Sequence, residues 1–256
     1  MNATRRLVAI CIGSIASGIA LADVWDGYDD TPFKARDLAH GADEIHDLGA
    51  RPGPTADVDW LLMPQDPYSS YEIAIDGIAP SANKLELTRF DPSGTMLLQT
   101  AIAPTLAGGG SRVLSWANTG ASSLTQLIRV NGASCDNSCT PDARYRIRAV
   151  DTTIAIPRFN NTATQVTVLL VQNTRSIART GMIYFWSATG TLLALQPMSL
   201  PARGSMVLNT TTVAAATSGT ITIAHDAGYG GLAAKSVALE PATGFSFDTQ
   251  GVFRPR

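Results

Sequence analysis

Short segments of alternating apolar and polar residues recur along the chain from Asp23 onward, separated by Gly, Pro, Asn, Asp and Ser. In Tyr71–Asp76, the side chains of Tyr71, Ile73 and Ile75 fall on one face, because successive residues of a strand point to opposite faces. No segment shows a sustained helical period of 3.6 residues. The pattern therefore predicts an all-β chain in which most strands bury one face.

The same alternation predicts strands in two series. The first comprises residues 71–76, 84–90, 95–100, 112–116, 124–130 and 144–150, and the second comprises residues 166–172, 182–187, 191–195, 205–209, 220–224 and 235–240. Pro92 and Gly94 predict a tight turn in the first series, since proline presets a negative φ and glycine accepts a positive one. The segments 124–130 and 144–150 are predicted to pair as a hairpin.

Two consecutive domains account for the two series. We expect the boundary near Val150–Pro157, which gives two antiparallel β-sandwiches of jelly-roll or immunoglobulin-like type at residues 23–152 and 153–256. Each is close to the ~100 residues typical of such sandwiches.

An export signal at residues 1–22 precedes both domains. Arg5 and Arg6 are followed by the uncharged segment Leu7–Leu21 and the small-x-small cleavage pattern Ala20-Leu21-Ala22. A short membrane anchor or a buried N-terminal helix is the alternative, but about 15 apolar residues are short for a membrane span. We expect a cleaved signal peptide and a mature chain without a transmembrane anchor. Such a protein is secreted, extracellular or at the cell surface, with the periplasm as the other compartment open to it.

Cleavage of the signal peptide would remove Cys11 and leave Cys135 and Cys139 as an even pair in an exported chain. The Cys-x-x-Cys-His motif of haem attachment is absent, and no nearby His or further Cys completes a zinc site. We therefore expect a disulfide that closes a small loop and contributes about 2 kcal/mol.

Several short motifs stand out in residues 28–151. They are Asp29-Asp30-Thr31, Ala35, Leu38, Gly41, His46-Asp47-Leu48, Asp57-Val58-Asp59-Trp60, Tyr71-Glu72-Ile73 and Tyr145-Arg146-Ile147-Arg148. Together they resemble the bacterial pre-peptidase C-terminal domain, a small β-sandwich attached to secreted enzymes and surface proteins. The resemblance implies a non-catalytic module, and some family members bind calcium or a polymeric substrate. This chain departs from the family in carrying no peptidase domain. Residues 156–161 and 239–247 resemble the opening and close of an immunoglobulin-like sandwich of bacterial exported proteins.

No cofactor is expected from the sequence, although the acidic residues of the first half leave calcium possible. Asp29, Asp30, Asp57 and Asp59 offer the hard oxygen ligands that calcium prefers, and Asp57 and Asp59 share one side of an extended segment. The alternative is turn chemistry, because aspartates often bond their own backbone two residues on.

A row of arginines is the candidate ligand-binding feature. Arg144, Arg146 and Arg148 alternate along one predicted strand, and Arg129 on the expected partner strand could lie beside them. Three guanidinium groups on one face suit carboxylates or sulfates of a polymer. The alternative is a solvated surface that protects a strand edge from aggregation.

An aromatic run offers a second candidate surface. Tyr184 and Trp186 share one face of a predicted strand, and Phe185 points to the other. An exposed pair would form a stacking platform for sugars, whereas burial on both faces would make all three part of a core.

Signals of catalysis are mostly absent from the sequence. The mature chain contains neither His-Glu-x-x-His nor Gly-x-Ser-x-Gly, and its Gly-rich segment 108–110 lacks the lysine of a phosphate-binding loop. His225 or His46 with acidic partners would be the centre of an alternative function as a secreted hydrolase.

Charge and composition limit the classes of partner that the sequence predicts. Charged residues make up 16% of the chain and the net charge is −2, which provides no basic surface for nucleic acid. We predict a secreted, non-catalytic module for adhesion, scaffolding or polymer binding. Its partner would be a polysaccharide or protein of the cell envelope or the extracellular medium.

Overall fold

The computed structural model describes residues 28–48, 57–77, 85–101, 111–132 and 144–254. The predicted signal peptide at residues 1–22 and the predicted Cys135–Cys139 disulfide lie outside the described residues. Both therefore stay predictions.

Two β-sheets form the first half of the chain. Its strands are β1 (Arg36–Asp37), β2 (Ala42–Asp47), β3 (Val58–Gln65), β4 (Ser69–Gly77), β5 (Leu85–Phe90), β6 (Leu97–Ala101), β7 (Ser111–Asn118), β8 (Leu124–Gly132) and β9 (Arg144–Asp151). One sheet has the strand order β1-β3-β8-β5-β6 and the other has the order β2-β9-β4-β7. The β1–β3 pair is parallel, and the other pairs are antiparallel.

The second half repeats this two-sheet arrangement. Its strands are β10 (Ile154–Asn160), β11 (Val166–Asn173), β12 (Arg179–Ser187), β13 (Leu192–Leu200), β14 (Ser205–Asn209), β15 (Ser218–His225), β16 (Leu232–Glu240), β17 (Phe245–Gln250) and β18 (Val252–Phe253). The sheets have the orders β13-β12-β15-β10-β18 and β14-β11-β16-β17. Short 3₁₀ turns at Pro32–Lys34 and Thr210–Thr212 are the helical elements of the described residues.

Alternating burial along the strands explains why the sheets pack in pairs. In β4, Ile73 and Ile75 are fully buried and pack with Tyr145 and Ile147 of β9 in the core of the first half. The second half has its own core, in which Phe159 meets Phe185 edge-to-face at 5.3 Å between ring centroids. The predicted all-β fold of antiparallel sandwiches is confirmed.

The tight turn predicted at Pro92–Gly94 is also confirmed. Gly94 has a φ of +72°, and its N–H donates to the carbonyl of Asp91 at 3.0 Å. A Cβ at this position would come within 2.7 Å of Pro32, so both the conformation and the space require glycine.

The hairpin predicted from segments 124–130 and 144–150 is wrong. β8 pairs with β3 and β5 in one sheet, whereas β9 pairs with β2 and β4 in the other. Alternation shows that each segment is a strand, but it carries no information about a partner that is distant in sequence.

The junction between the halves is buried and hydrogen-bonded. Thr152 is fully buried, and its N–H donates to the carbonyl of Ser70 at 2.7 Å. The N–H of Ser70 in turn donates to the hydroxyl of Thr153 at 2.9 Å. The division into residues 23–152 and 153–256 stays a prediction about independent folding, but this connection is a packed segment of backbone.

Candidate ligand-binding cleft

The four predicted calcium ligands lie near the start of the first sandwich. Asp29, Asp57 and Asp59 are buried, and Asp59 accepts a hydrogen bond from the hydroxyl of Tyr145. The carbonyl of Asp29 accepts the N–H of Trp60 at 2.9 Å. Across the described ranges, no group of three or more acidic, His or Cys side chains is arranged to hold a metal. Calcium binding stays a prediction without geometric support from these side chains.

The row of arginines on β9 is matched by acidic residues on its two neighbouring strands. Arg146 forms a two-pronged ion pair with Asp43 of β2, and Arg148 pairs with Asp76 of β4. Hydrogen bonding to Arg146 lowers the pKa of Asp43 from its ordinary value. Arg144 is exposed at the start of the strand. The face is thus close to charge-balanced, which favours the surface interpretation over a site for anions.

Arg129 does not join this row, contrary to the sequence-based expectation. It lies on β8 in the opposite sheet, with its guanidinium 5.0 Å from the ring centre of Phe90 and 5.8 Å from that of Trp60. This is a cation–π arrangement that packs the arginine stem against aromatic surface.

The aromatic residues of β12 divide between a core and a contact between the halves. Phe185 is buried in the core of the second half. Tyr184 and Trp186 face the first half, where the ring of Tyr68 lies 4.9 Å from Tyr184 and 5.3 Å from Trp186. Tyr184 is only 1% exposed, so this face does not offer it as an open stacking platform for a sugar.

The two histidines of the hydrolase alternative are buried. His225 is fully buried, and its Nδ1 lies 3.0 Å from the carbonyl of Ala227. Burial lowers the pKa of His225 to about 4, so the ring is neutral at pH 7. The Nε2 of His46 lies 2.6 Å from Arg36 and 3.2 Å from Glu44, and its ring stacks on Tyr145.

A polar cleft of about 330 Å³ lies between the two halves. The first half supplies Glu72, Gln99, Val113 and Ser115 from β4, β6 and β7, and the second half supplies Arg175, Arg179, Asp226 and Gly228. Its position between two sandwiches is typical of ligand sites, which favour domain interfaces.

Two arginines of the cleft are held by one loop of the second half. Arg179 donates to the carbonyl of Asp226 at 2.9 Å, and Arg175 donates to the carbonyl of Tyr229 at 3.2 Å. The two acceptors are three residues apart in the same loop, and both arginines line the cleft. Asn173, which is fully buried, positions Arg175, because its side-chain oxygen accepts the backbone N–H of Arg175 at 2.9 Å.

The opposite wall is held against the same loop. Glu72 accepts the N–H of Tyr229 at 2.9 Å. Gly228 allows this approach, because a Cβ there would lie 2.2 Å from the Oε2 of Glu72 and 3.4 Å from the hydroxyl of Ser115. The carboxylate of Asp226 is occupied within its own half, where it accepts the N–H and the hydroxyl of Thr180.

The sequence reasoning missed this cleft. Its residues come from five separate segments between Glu72 and Gly228, and the sequence gives no motif that brings them together. Gly228, three residues after the strand that ends at His225, is a local signal of a close backbone approach.

A second concavity, about 370 Å³, lies on the outer face of the β14-β11-β16-β17 sheet. Leu170, Val207 and Ala233 line it together with Lys235 and Gln250. Its lining is largely aliphatic sheet surface without a set of convergent polar groups. We therefore take the cleft between the halves as the candidate site.

Comparisons with known proteins add little to this geometry. No protein-family model matches the sequence, and no curated protein matches it. Among solved structures, a protein of Eubacterium rectale provisionally described as secreted matches with a TM-score of 0.30 and 11% identity, over 88% of this chain and 79% of its own. A β-glucuronidase 2 of Bacteroides uniformis matches with a TM-score of 0.24 and 11% identity, over 84% of this chain but only 28% of its own. A β-glucuronidase of glycoside hydrolase family 2 matches with a TM-score of 0.24 and 10% identity, over 90% of this chain and 26% of its own. Similarity this low says nothing about function.

The helices of the described residues are too short and too polar to cross a membrane.

Proposed function

We propose that this protein is an exported, non-catalytic module that binds an extracellular polymer in the cleft between its two halves. The observation that carries the proposal is the way the halves are joined. Contacts across the junction make the cleft a composite surface to which both sandwiches contribute. A preformed site of this kind loses little conformational entropy when a ligand binds.

Three separate contacts fix the two walls of the cleft. Tyr68 packs on Tyr184 with 4.9 Å between ring centroids. The N–H of Ser70 in the first half donates to the hydroxyl of Thr153 in the second half at 2.9 Å. Glu72 accepts the N–H of Tyr229. Together they support a cleft whose width is set by the fold.

The non-catalytic part of the proposal is supported by the placement of the histidines. A general base must reach the proton that it removes, either directly or through one water. His225 is fully buried and has a pKa of about 4, and His46 is 2% exposed between Arg36 and Glu44. Neither ring lines the cleft.

Binding of the full mature chain to extracellular polymers tests the proposal directly. The protein would be co-sedimented with insoluble polysaccharides and cell-envelope preparations, and soluble polymers would be tested by affinity electrophoresis. Retention on at least one polymer, without release of reducing ends, is the expected result. Failure to bind any polymer, or hydrolysis of one, contradicts it.

A cleft variant and a matched surface variant locate the site. Gly228→Ala places a methyl group 2.2 Å from the carboxylate of Glu72, so the side chain must move away from the Tyr229 N–H. We expect this variant to weaken polymer binding. Arg158→Gln changes an exposed arginine that packs over Phe247 outside the cleft, and it should bind as the unmodified protein does. Equal loss in both variants would place the binding surface elsewhere.

A further inference from the structure

We infer that the cleft recognises the carboxylate or sulfate groups of an acidic polysaccharide. This inference rests on the proposed function and names the ligand class for the same site. It depends on which donors and acceptors of the cleft already form hydrogen bonds within the protein and which can form further hydrogen bonds to a ligand.

The cleft is rich in donors. A guanidinium group has five N–H donors, and the contacts to the loop account for one from Arg175 and one from Arg179. The carboxylate of Asp226 accepts two bonds from Thr180, and that of Glu72 accepts the N–H of Tyr229. The two carboxylates of the cleft are thus engaged by the protein, while its two guanidinium groups have more N–H donors than these contacts use. A ligand rich in acceptors complements this arrangement.

The guanidinium groups of the cleft favour oxyanions among such ligands. Arg175 and Arg179 are anchored to carbonyls of the same loop and both line the cleft, so two planar forks are available to one ligand. Carboxylates and sulfates can accept two parallel N–H bonds from such a fork, whereas a hydroxyl or an amide oxygen cannot match that geometry.

Gln99 and Ser115 provide the groups that would recognise a sugar around its acidic substituent. The Nε2 of Gln99 donates weakly to the carbonyl of Ser115 at 3.4 Å. Its Oε1 is buried and has no hydrogen-bond partner among the described residues. A sugar hydroxyl can donate to this oxygen once the Gln99 amide turns toward the cleft, and a buried acceptor gains free energy when such a bond forms.

Size and charge separate an acidic sugar from other anions. A volume of 330 Å³ lies at the lower end of the usual range for ligand pockets and has room for roughly one or two sugar units. Nucleic acid binding depends on many cations along a surface. Here two arginines face two carboxylates, so the directed bonds of the forks provide recognition rather than a strong positive field.

Matched ligands that differ only in charge provide the test. Binding of the full mature chain to oligogalacturonate would be measured by isothermal titration calorimetry against the fully methyl-esterified oligomer, which keeps the sugar rings but lacks the anions. Dextran sulfate and dextran form a second pair that distinguishes sulfate from carboxylate recognition. We expect the charged member of at least one pair to bind at least tenfold more tightly than its neutral counterpart.

Variants of the cleft arginines then test whether the preference for the charged oligomer arises in the cleft. Arg175→Gln and Arg179→Gln should each reduce affinity for the charged oligomer about tenfold and leave the weak affinity for the neutral oligomer unchanged. Arg179→Lys keeps the charge but loses the fork, so it should fall between Gln and Arg. Arg158→Gln should have no effect. Arg144→Gln tests the row on β9, and loss of binding in this variant alone would overturn the assignment to the cleft.

The outcomes separate this inference from the proposed function. Equal affinity for the charged and neutral members of both pairs, with polymer binding retained, overturns the acidic ligand and leaves the binding module in place. Absence of binding to every polymer in either charge state overturns both. Circular dichroism and thermal melting of each variant exclude loss of folding as the cause.

Discussion

The interiors of the two halves differ in the polar groups that they bury. Among the described residues, the first half buries carboxylates and an arginine, including Asp29, Asp57, Asp59 and Arg112. The buried polar groups of the second half are mainly amides and hydroxyls, and within residues 153–254 its buried ionisable side chains are those of His225 and Tyr184. Two sandwiches of similar architecture thus bury different types of polar side chain.

Asn161 shows how the second half satisfies its polar groups. Its amide donates to the carbonyl of Ala214 at 2.9 Å and accepts the N–H of Thr167 at 3.1 Å and the hydroxyl of Thr210 at 2.8 Å. A neutral network of this kind keeps its bonds across a wide pH range. The interior of the first half instead contains acidic side chains, among them that of Asp59, which accepts a hydrogen bond from the hydroxyl of Tyr145.

The largest expected effect removes core volume from the second half. Phe185→Ala deletes a fully buried ring that packs edge-to-face on Phe159. We expect a loss of about 3–5 kcal/mol in the free energy of unfolding, from lost burial and the cavity that remains. Differential scanning calorimetry would measure it. Phe247→Ala removes a ring that is 38% exposed and should cost under ~1 kcal/mol. Equal costs would mean that the two rings are equally important for packing.

A pH titration sharpens the comparison through His225. Burial lowers the pKa of His225 from 6.5 to about 4, so between these values the unfolded chain binds a proton that the folded chain does not. Stability should therefore fall as the pH drops below about 6.5, at about 1.4 kcal/mol per unit and by about 3 kcal/mol in total. Chemical denaturation at a series of pH values measures this slope.

The His225→Gln variant is the control for that slope. It should lose the decline between pH 6.5 and pH 4.5, while any acid destabilisation at lower pH remains.

Burial acts to raise the pKa of Glu44 in the first half, but hydrogen bonds from Arg36 and His46 outweigh it and hold that pKa below 4.5. Its stabilising contribution is therefore lost only below that pH. An unchanged slope in the variant would assign the decline to another group.

A smaller effect is expected from a hydrogen bond to a buried charge in the first half. Tyr145→Phe removes the hydroxyl that donates to the carboxylate of Asp59 while it keeps the ring. The expected cost is about 2 kcal/mol, as for other hydrogen bonds to charged acceptors. Tyr71→Phe is a comparison variant, because within the described residues the hydroxyl of Tyr71 hydrogen-bonds to neutral groups, the hydroxyl of Ser69 and the N–H of Asp66. It should cost less, and a larger cost than that of Tyr145→Phe would contradict the importance of the charge.

Local patterns predicted most strands and turns correctly. Each strand predicted from alternation overlaps a strand of the structure, and the turn at Gly94 follows from two neighbouring residues. The strands missed are those without a clean alternation. β2 carries three charged residues, and β17 is exposed on both faces for most of its length.

The pairing of strands and the cleft could not be predicted in the same way. β8 and β9 are neighbours in sequence but belong to different sheets, a choice that depends on contacts between distant segments. The cleft likewise requires Glu72 to meet Tyr229, 157 residues further on. The sequence shows the aromatic run, but the packing of Tyr184 and Trp186 depends on Tyr68, which comes from a turn of the other half.

The smallest expected effect, and the one that tests how the two interiors are joined, is removal of the Tyr68 ring. Tyr68 has a φ of +56°, an uncommon conformation for a residue with a side chain. Its ring packs on Tyr184 and Trp186 of the second half. Tyr68→Ala should cost about 1–2 kcal/mol, the order expected for two aromatic contacts. Tyr68→Phe keeps the rings in contact and should melt as the unmodified protein does.

Spectroscopic titration of Tyr184 reports the same contact independently. Burial, with a smaller effect from Tyr68, raises the pKa of Tyr184 to about 12. Removing the Tyr68 ring admits water to this side chain, so its pKa should fall toward 10 in Tyr68→Ala and stay near 12 in Tyr68→Phe. If the two halves are held together mainly by this contact, calorimetry of Tyr68→Ala should also resolve two unfolding transitions. Only the transition of the second half should then shift with pH, because His225 belongs to that half. A single transition with an unchanged pKa for Tyr184 would mean that the buried junction at Thr152 and the Glu72–Tyr229 contact hold the halves together without Tyr68.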